Sequence, residues 1–404
     1  MAVAYVQGSS ARSGAAAPRL KILSHFTEIG LLGGGVPRST LEIARLMATG
    51  GHRVTVMTAP GSKLPEEWRV PDQVLPKMMS LDPVSGRFDL LSRDCLRRVD
   101  RLLEGADLLL LHGMWRPRNS QLASLARRRG VPYVMIPHGM LDDWPMGQKP
   151  LRKRLYHLLL ERRNLDSAAC VVATSEAERL QASRWVPHDR ISVAPLPISP
   201  VLARLAGEPG PASDQEAADE LTVLFLSRLD PKKGADVLIE AVGLMKRRGI
   251  FCRLLIAGSG PSQYVRELER LVEREGIADR TRFLGWVDGP QKLSLYRVAD
   301  LFSLPTSQEN FGRVLVEALA CRTPVITTRQ AGLWQRICDA GGGLLADRTP
   351  EAFATAITDL LADRPRRERM GEAGRNWVMA WLDDGELIGR YESMFRRAVG
   401  NGAV

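Results

Sequence analysis

The sequence predicts an α/β protein in which two doubly wound, Rossmann-like domains face each other across a cleft. A length of 404 residues exceeds one ordinary core and favours two domains of roughly 150–200 residues. Buried strand patterns alternate with helical patterns along most of the chain, as is typical of parallel sheets. The segment 195–220, rich in proline, glycine, alanine and acidic residues, interrupts this alternation and is typical of an interdomain linker.

The first series of elements follows a polar N-terminal segment. Because residues 1–18 lack a continuous apolar core, we expect a disordered leader rather than a signal peptide. A glycine-rich turn at 33–35 precedes a predicted helix over 39–51, with Ser39 or Thr40 as its candidate N-cap. Apolar runs that end in polar or glycine residues predict strands at 19–26, 52–59, 106–113, 132–139 and 169–175.

The second series repeats this arrangement and ends in an amphipathic helix over 384–398, which we expect to cross back to the first domain. The predicted strands lie at 221–229, 253–260, 281–287, 300–306 and 323–328. The resulting division of the chain is a leader at 1–18, a first domain at 19–199, a linker at 200–220, a second domain at 221–380 and a C-terminal segment at 381–404. Ligands of such folds bind at the carboxyl ends of the strands, which places the site in the cleft.

The positive charge is concentrated in the first half of the chain. Residues 1–205 contain 29 Lys and Arg against 18 Asp and Glu, a net charge of +11, whereas the remainder contains 27 against 28. A basic half favours a polyanionic partner, although an ordinary solvated surface is the alternative. Few aromatic residues, 6% of the chain, accompany the basic ones, so nucleic-acid binding is not expected.

Two further features bear on the cellular compartment. No run of about 18 apolar residues occurs, so no transmembrane helix is predicted. The five cysteines are scattered and lack metal-site spacing, as expected of small buried thiols in the cytoplasm.

Two loops carry residues suited to phosphate. In GGGVPRST, 33–40, glycines between a strand and a helix expose backbone N–H groups to an anion, unless the segment is only a tight turn. In SRLDPKKGADVL, 227–238, Arg228 ends a strand and Lys233 precedes a helix. Two such cations suit a diphosphate, and a surface turn is the alternative.

The segment SQENFGRVLVEALACRTPVITT, 307–328, contains two glutamates around a helix start. Glu309 lies in the loop before the helix, and Glu317 lies one to two turns inside it. Eight residues of helix span roughly 12 Å, so the two carboxylates are poorly placed to share a proton and better placed to accept hydroxyls from two parts of one ligand. Two unrelated surface glutamates are the alternative.

A fourth candidate is His138 in VMIPHGML, 134–141, which lies at a strand end beside a glycine. A lone histidine is more often structural than functional. The six histidines show no metal-ligand spacing, and no Asp-x-Asp motif occurs, so no catalytic metal is expected.

Taken together, these motifs resemble the retaining glycosyltransferases of the GT-B fold, the large nucleotide-sugar family that includes sucrose synthases and bacterial glycogen synthases. The resemblance covers about residues 19–395. It is carried by GGGVPRSTLEIARLMATGGHRVTVMT, PHGML, ATSEAE, LFLSRLDPKKGADVLIEAV, LLIAGSGP, RFLGWV and PTSQENFGRVLVEALACRTPVITT, which occur in the order expected of the family.

The resemblance implies that the second domain binds a UDP- or GDP-sugar donor as substrate and that the first binds the acceptor, with no further cofactor. Arg228 and Lys233 would bind the diphosphate, Glu309 the sugar hydroxyls and Glu317 the ribose. His138 would lie near the donor sugar. Backbone groups would approach the sugar and phosphates at Gly34, Gly35, Asn310, Phe311 and Gly312.

The family retains the anomeric configuration, and we favour front-face attack assisted by the leaving phosphate. The transition state resembles an oxocarbenium ion while a diphosphate departs. Fixed cations and helix N-termini stabilise the developing charge and would replace a metal.

Three positions depart from the family pattern. Leu196-Pro197 stands where Asn-Gly is frequent near the hinge, and Arg322 stands where glycine is usual. AGLWQRI, 331–337, replaces a Gly-Gly-x-x-Glu loop. Trp334 in that loop is a candidate subgroup marker, so the identity of the donor should not be taken from the general pattern.

The segment 137–163 resembles exopolysaccharide and O-antigen transferases. Its basic residues alternate with Leu151, Leu155, Leu158 and Leu159, which fits docking on an anionic membrane where a polyprenyl-diphosphate-linked acceptor would lie. An ordinary core-facing helix with a charged outer face is the alternative. This interpretation places the protein at the inner face of the cytoplasmic membrane.

Two other functions remain open from the sequence. A sugar-nucleotide epimerase on the same fold would need an acid/base pair and no acceptor groove. A catalytically inactive nucleotide-binding scaffold would not need Arg228, Lys233, Glu309 and Glu317 together.

Overall fold

The computed structural model describes residues 18–27, 35–62, 74–82, 89–142, 146–147, 150–198 and 221–401. Residues 1–17 of the expected leader and the whole of the expected linker lie outside the described residues, as does Gly34.

The first sheet has seven parallel strands in the order β3-β2-β1-β4-β5-β6-β7. Its strands are β1 (Lys21–His25), β2 (Arg53–Thr58), β3 (Lys77–Ser80), β4 (Leu108–His112), β5 (Tyr133–Ile136), β6 (Cys170–Ala173) and β7 (Ile191–Val193). The helices between them are α1 (Gly35–Thr49), α2 (Arg93–Leu103), α3 (Pro117–Arg129), α4 (Pro150–Tyr156), α5 (Arg162–Asp166) and α6 (Glu176–Ala182), with a π-helical turn at His157–Glu161 between α4 and α5.

The second sheet has six parallel strands in the order β10-β9-β8-β11-β12-β13. Its strands are β8 (Thr222–Leu226), β9 (Arg253–Ala257), β10 (Thr281–Gly285), β11 (Leu301–Leu304), β12 (Val325–Thr327) and β13 (Gly343–Leu345). The accompanying helices are α7 (Ala235–Arg247), α8 (Ser262–Arg274), α9 (Gly289–Val298), α10 (Arg313–Ala320), α11 (Trp334–Asp339), α12 (Pro350–Leu361), α13 (Arg364–Trp381) and α14 (Asp384–Asn401).

The central strands form because both faces of each sheet are covered by helices. Successive residues of a strand point to opposite faces, so strands buried on both faces are continuous apolar runs rather than alternating ones. All five residues of β4, LLLLH, are buried. In β1, Ile22 packs into one apolar cluster and its neighbour Leu23 into a second on the other side of the sheet.

Helix α1 differs from its prediction at the N-terminus. It begins at Gly35, four residues before the predicted start, so neither Ser39 nor Thr40 is an N-cap. Their hydroxyls donate to the carbonyls of Gly35 and Val36, at 2.7 and 3.1 Å, within the first turns of the helix. Serine and threonine occur at N-caps, where they accept from backbone N–H groups, and also inside helices, where they donate to the carbonyl four residues earlier, which explains the wrong prediction.

Three strands, β3, β7 and β13, were not predicted, and all three lie at a sheet edge. Each has only three or four residues, too few for a clear alternation of apolar and polar side chains.

The C-terminal helix α14 packs against the first sheet's helix α1. The buried guanidinium of Arg45 donates to both carboxylate oxygens of Asp384 at 3.0 and 3.1 Å. His52 Nε2 lies 2.7 Å from Glu392 Oε1, and the Tyr391 hydroxyl donates to the carbonyl of Pro195 at 3.1 Å. These contacts attach the end of the chain to its first half. No helix in the described ranges is long and apolar enough to cross a bilayer.

Candidate functional site

The loop after β11 turns sharply into α10 at Gly312. Gly312 has φ +75°, and a Cβ there would lie 2.9 Å from Leu315 Cδ1 and 3.3 Å from Glu309 Cγ. Only glycine fits this left-handed and crowded position. Within the described part of the chain, the backbone N–H groups of Asn310, Phe311 and Gly312 have no hydrogen-bond acceptor. Unpaired N–H groups at the start of a helix suit the binding of an anion.

The Phe311 side chain does not face the cleft. It is buried, and its ring stacks on Trp381 with centroids 6.0 Å apart. The aromatic ring therefore anchors the loop between β11 and α10 to α13. The predicted contact with the sugar and phosphates belongs to the backbone of Phe311.

Lys233 and Glu309 meet in the cleft. The buried Lys233 Nζ forms an ion pair with Glu309 Oε2 and also lies 3.4 Å from the carbonyl oxygen of Gln308. A Cβ at the next residue, Gly234, would overlap the carbonyl of Pro305, so glycine allows the two loops to approach each other. The residue predicted to bind the diphosphate, Lys233, and the residue predicted to bind the sugar, Glu309, are therefore adjacent.

Two cations lie beside Lys233, one predicted and one not. Arg228 is exposed at the end of β8, and its guanidinium forms no salt bridge with any residue that the structure describes. Burial, and then the charges of Lys233 and Arg228, lowers the pKa of Lys232. Sequence reasoning missed Lys232, although its position beside Lys233 in DPKKG was a usable signal. Three neighbouring cations favour binding of a multiply charged anion.

The loops that carry these groups are held together by hydrogen bonds. Arg348 donates to the carbonyls of Pro305 and Pro231 at 2.9 and 2.8 Å. The Ser307 amide donates to the carbonyl of Lys232 at 2.7 Å. Arg348 was not singled out from the sequence, because nothing in its local sequence indicates a partner 117 residues away.

Glu317 lies on α10 and is buried. Lys292 Nζ and the Tyr296 hydroxyl each donate to one of its carboxylate oxygens at 3.1 Å. Burial acts to raise its pKa, but Lys292 and Arg313 prevail and hold the pKa of Glu317 below its usual value. Each oxygen retains a second lone pair for a ligand hydroxyl. The sequence did not identify Lys292 or Tyr296 as its partners.

His138 follows β5 on the opposite side of the cleft. Its Nε2 lies 3.0 Å from Nδ1 of His112, and the two rings stack. Burial, followed by the charge of Arg313, lowers the pKa of His138 to about 3. The imidazole is therefore neutral at physiological pH, suited to hydrogen bonding rather than to carrying charge.

Gly35 begins α1 and faces Arg313 of the second domain. A Cβ added at Gly35 would lie 3.8 Å from Cδ of Arg313. Arg313 Nη1 also donates to the carbonyl of Pro197 at 3.1 Å. Leu196-Pro197, the segment that differs from the family pattern, thus contacts helix α10 through Arg313.

Asn310 crosses the cleft through its side chain. Its Nδ2 donates at 3.0 Å both to Thr174 Oγ1 and to Oε2 of the buried Glu178. Gln308 Nε2 likewise donates to Asp142 Oδ2 at 3.2 Å. Sequence reasoning quoted ATSEAE, which contains Glu178, but assigned no role to it.

The unusual loop 331–337 lies beside Glu309. The Glu309 amide donates to the carbonyl of Gln330 at 3.0 Å, and its carbonyl accepts from Gly332 at 2.7 Å. Trp334 stacks under the guanidinium of Arg329 at 5.1 Å. This loop therefore supports the backbone of the residue expected to contact the sugar.

The same architecture and motifs occur in known proteins. Residues 211–377 match the family described as glycosyl transferases group 1, and residues 34–197 match the glycosyl transferase 4-like domain.

Curated relatives include a D-inositol 3-phosphate glycosyltransferase from Kineococcus radiotolerans, 28% identical over 91% of this chain and 91% of that protein. A similar enzyme from Paenarthrobacter aurescens is 29% identical over 78% of this chain and 76% of that protein. A GDP-mannose-dependent alpha-(1-6)-phosphatidylinositol monomannoside mannosyltransferase from Mycolicibacterium smegmatis is 36% identical, but the match spans only 40% of this chain and 44% of that relative.

Solved structures share the fold at low identity. Anabaena HepE in complex with UDP and glucose superposes with a TM-score of 0.71 at 19% identity, covering 93% of this chain and 99% of that one. Sucrose-phosphate synthase from Thermosynechococcus elongatus gives 0.70 at 22% identity, with 93% and 98% covered.

Two parallel sheets facing each other, with helices on their faces, define a two-domain α/β protein of the GT-B fold, which confirms the predicted fold class. The two family matches lie on the two halves of the chain, and the named relatives are glycosyltransferases. The protein is a GT-B glycosyltransferase with the activity of a hexosyltransferase.

Proposed function

We propose that the protein transfers a hexose from a UDP- or GDP-sugar to a saccharide carried on a polyprenyl diphosphate, without a metal and with retention, in exopolysaccharide or lipopolysaccharide synthesis. One observation carries the donor part of this proposal. Lys233 and Arg228 lie beside the loop whose free amides precede α10, and Glu309 lies in the same place. A diphosphate and a sugar attached to it need these groups side by side.

The donor is supported by the comparisons only as a nucleotide-sugar. HepE binds UDP and glucose, and the M. smegmatis relative uses GDP-mannose by name. In this proposal Glu317, on the helix that follows the diphosphate loop, accepts hydroxyls of the nucleoside.

For the reaction we favour front-face displacement. The bond between the anomeric carbon and the phosphate oxygen breaks, the acceptor oxygen bonds to the same face, and the acceptor proton passes to the departing diphosphate. The cations take up the negative charge that develops on the diphosphate. Lys232, Lys233 and Arg228 supply the positive charge in the proposed reaction.

The acceptor part of the proposal is supported by an apolar and basic surface on the first domain. We call it the leucine surface and define it as the exposed leucines of 151–160: Leu151, Leu155, Leu158, Leu159 and Leu160. Leu151 is 81% and Leu159 66% exposed, so the alternative of a core-facing helix does not apply to them. Arg154, Arg162 and Arg163 flank the surface, and this combination fits an anionic lipid bilayer.

The donor assignment is tested by thermal shift with UDP-, GDP- and ADP-sugars. A specific donor raises the melting temperature by mass action, and Lys233→Ala should remove that rise. If none of the panel shifts the wild-type protein, the donor assignment is wrong. A covalent glycosyl adduct on Glu309 would overturn front-face attack without affecting the donor assignment.

A further inference from the structure

Glu178 is a buried carboxylate that faces the cleft from α6. It forms no salt bridge with any described residue; instead, it accepts four hydrogen bonds. Oε1 accepts from the amide of Gly139, and Oε2 accepts from the amide and hydroxyl of Thr174, each at 2.7 Å, and from Asn310 Nδ2. A buried carboxylate without a cation depends on such donors to remain in place.

Gly139 belongs to a strained turn that also contains His138. His138 has φ +54° and Gly139 φ +76°, so two successive residues are left-handed. Side chains other than glycine adopt this conformation rarely, and it persists where the surroundings hold it. Here the amide of Gly139 is held by Glu178, and the ring of His138 is held by His112.

The fourth donor, Asn310, comes from the other side of the cleft. A Cβ at Gly139 would lie 2.9 Å from Asn310 Cβ, so the asparagine packs directly on the strained turn. Its Nδ2 faces Glu178 and Thr174, whereas its buried Oδ1 has no partner in the described structure. The side-chain amide of Asn310 is therefore oriented by the carboxylate of Glu178.

We propose that Glu178 is a positioning residue that couples the approach of Asn310 to the backbone conformation that holds His138 at the reaction centre. Asn310 follows Glu309, which is the proposed sugar-binding residue, and both lie on one loop. Each donor that reaches Glu178 lowers the free energy of the arrangement in which the Gly139 amide is also bound. The contact of Asn310 with the first domain and the backbone conformation that positions His138 therefore stabilise each other.

This inference rests on the proposed role of His138, and hydrogen–deuterium exchange tests it without relying on turnover. Because Asn310 packs on the turn that contains Gly139, its loss can speed exchange there without Glu178, so the double variant decides: independent effects would add, whereas coupled effects would not. We expect Asn310→Ala to speed exchange in the peptide that spans 137–141, as Glu178→Gln does. The double variant should exchange no faster than Glu178→Gln alone.

Kinetics provide the second readout. We expect Glu178→Gln to lower kcat by roughly tenfold or more, since one acceptor of a buried donor is lost, while the affinity for the nucleoside diphosphate stays within about twofold. The matched control is Glu176→Gln. This carboxylate lies in the same helical turn but is exposed and pairs with Arg179, so both readouts should match the wild type.

Each outcome decides a separate point. Unchanged exchange at 137–141 in Asn310→Ala, or additive effects in the double variant, would overturn the coupling even if the enzyme transfers a hexose. If Glu178→Gln does not fold, Glu178→Asp takes its place in the same double-variant comparison with Asn310→Ala. Failure of every donor to bind would refute the proposed function and leave the exchange measurement valid.

Discussion

Lys233 Nζ and the Glu309 carboxylate form an ion pair across two loops that are 76 residues apart in the chain. Each group neutralises the other where a donor would bind. A bound diphosphate would take over the lysine, and sugar hydroxyls would take over the glutamate, so the pair is replaced rather than left uncompensated.

The first prediction separates these two roles. Lys233→Ala and Glu309→Ala should each lower kcat by about 10²–10³-fold, because each removes a charge placed for the transition state. Only Lys233→Ala should also abolish the thermal shift produced by the free nucleoside diphosphate. Glu309→Ala should keep that shift and lose the additional shift produced by the sugar. Arg247→Ala is the control and should retain activity, because it removes only an ion pair of 2.7 Å between Arg247 at the end of α7 and Glu275 just after α8. Full activity in either site variant would contradict the assignment.

Gly312 provides a second prediction. Gly312→Ala places a methyl group against Leu315 in a left-handed conformation, so we expect a loss of roughly 2 kcal/mol or more in unfolding free energy, together with weaker donor binding. Gly289→Ala is the matched control, since Gly289 has φ +56° but no atom within 4 Å of the added Cβ. It should lose about 1 kcal/mol, from backbone conformation alone, and bind the donor normally. Equal losses in urea unfolding would show that the crowding at Gly312 is unimportant.

Arg322 shows how far local sequence could predict the structure. The family pattern identified the position as one where glycine is usual, and the structure gives Arg322 φ +63°. The central strands and the loop with Glu309 could likewise be predicted, because short patterns determine them, whereas Gly35 of the expected turn at 33–35 lies in α1. The partners of Glu317, the Arg348 contacts and the bond from Asn310 to Glu178 could not, since each joins segments far apart in the chain.

The same residue yields a third prediction. Arg322→Gly relieves a left-handed side-chain residue, a gain of about 1 kcal/mol, and loses a surface ion pair with Glu372 worth up to about 1 kcal/mol. We expect a net change between zero and about 1 kcal/mol in favour of the folded state. Glu372→Ala measures the loss of the pair by itself. A variant less stable than Glu372→Ala in urea unfolding would show that the backbone is not strained there.

A fourth prediction concerns pH. Burial is the main cause that lowers the pKa of His25 from 6.5 to about 4, and it also lowers the pKa of His112. Between pH 6.5 and pH 4 these two histidines bind protons in the unfolded chain but not in the folded chain. The free energy of unfolding therefore falls as the pH drops from 6.5 towards 4. For the fully buried His25 the full shift corresponds to about 3 kcal/mol.

Glu161 opposes this trend, because burial raises its pKa from 4.5 to about 7. The folded chain then binds the extra proton, and stability rises as the pH falls from 7 towards 4.5. Glu161→Gln removes that contribution, so its unfolding free energy, measured in urea, should fall more steeply than that of the wild type between pH 7 and 5. A variant with a shallower slope would show that Glu161 is ionised in the folded protein.

The leucine surface gives the last prediction. Leu158→Asp/Leu159→Asp should reduce sedimentation with phosphatidylglycerol vesicles at low salt by about tenfold or more. Each leucine that enters the bilayer contributes roughly 1.5–3 kcal/mol to binding, and the added charges repel the lipid. Phe251→Asp is the matched control. Phe251 is 50% exposed but belongs to the second domain, so the Phe251→Asp variant should bind vesicles as the wild type does.

Phosphatidylcholine vesicles should bind all three proteins weakly, and high salt should weaken binding of the wild type, since screening reduces attraction to the flanking arginines. Sedimentation of the double variant equal to that of the wild type would remove the membrane from the proposed function, while leaving the donor site and its cations as they stand.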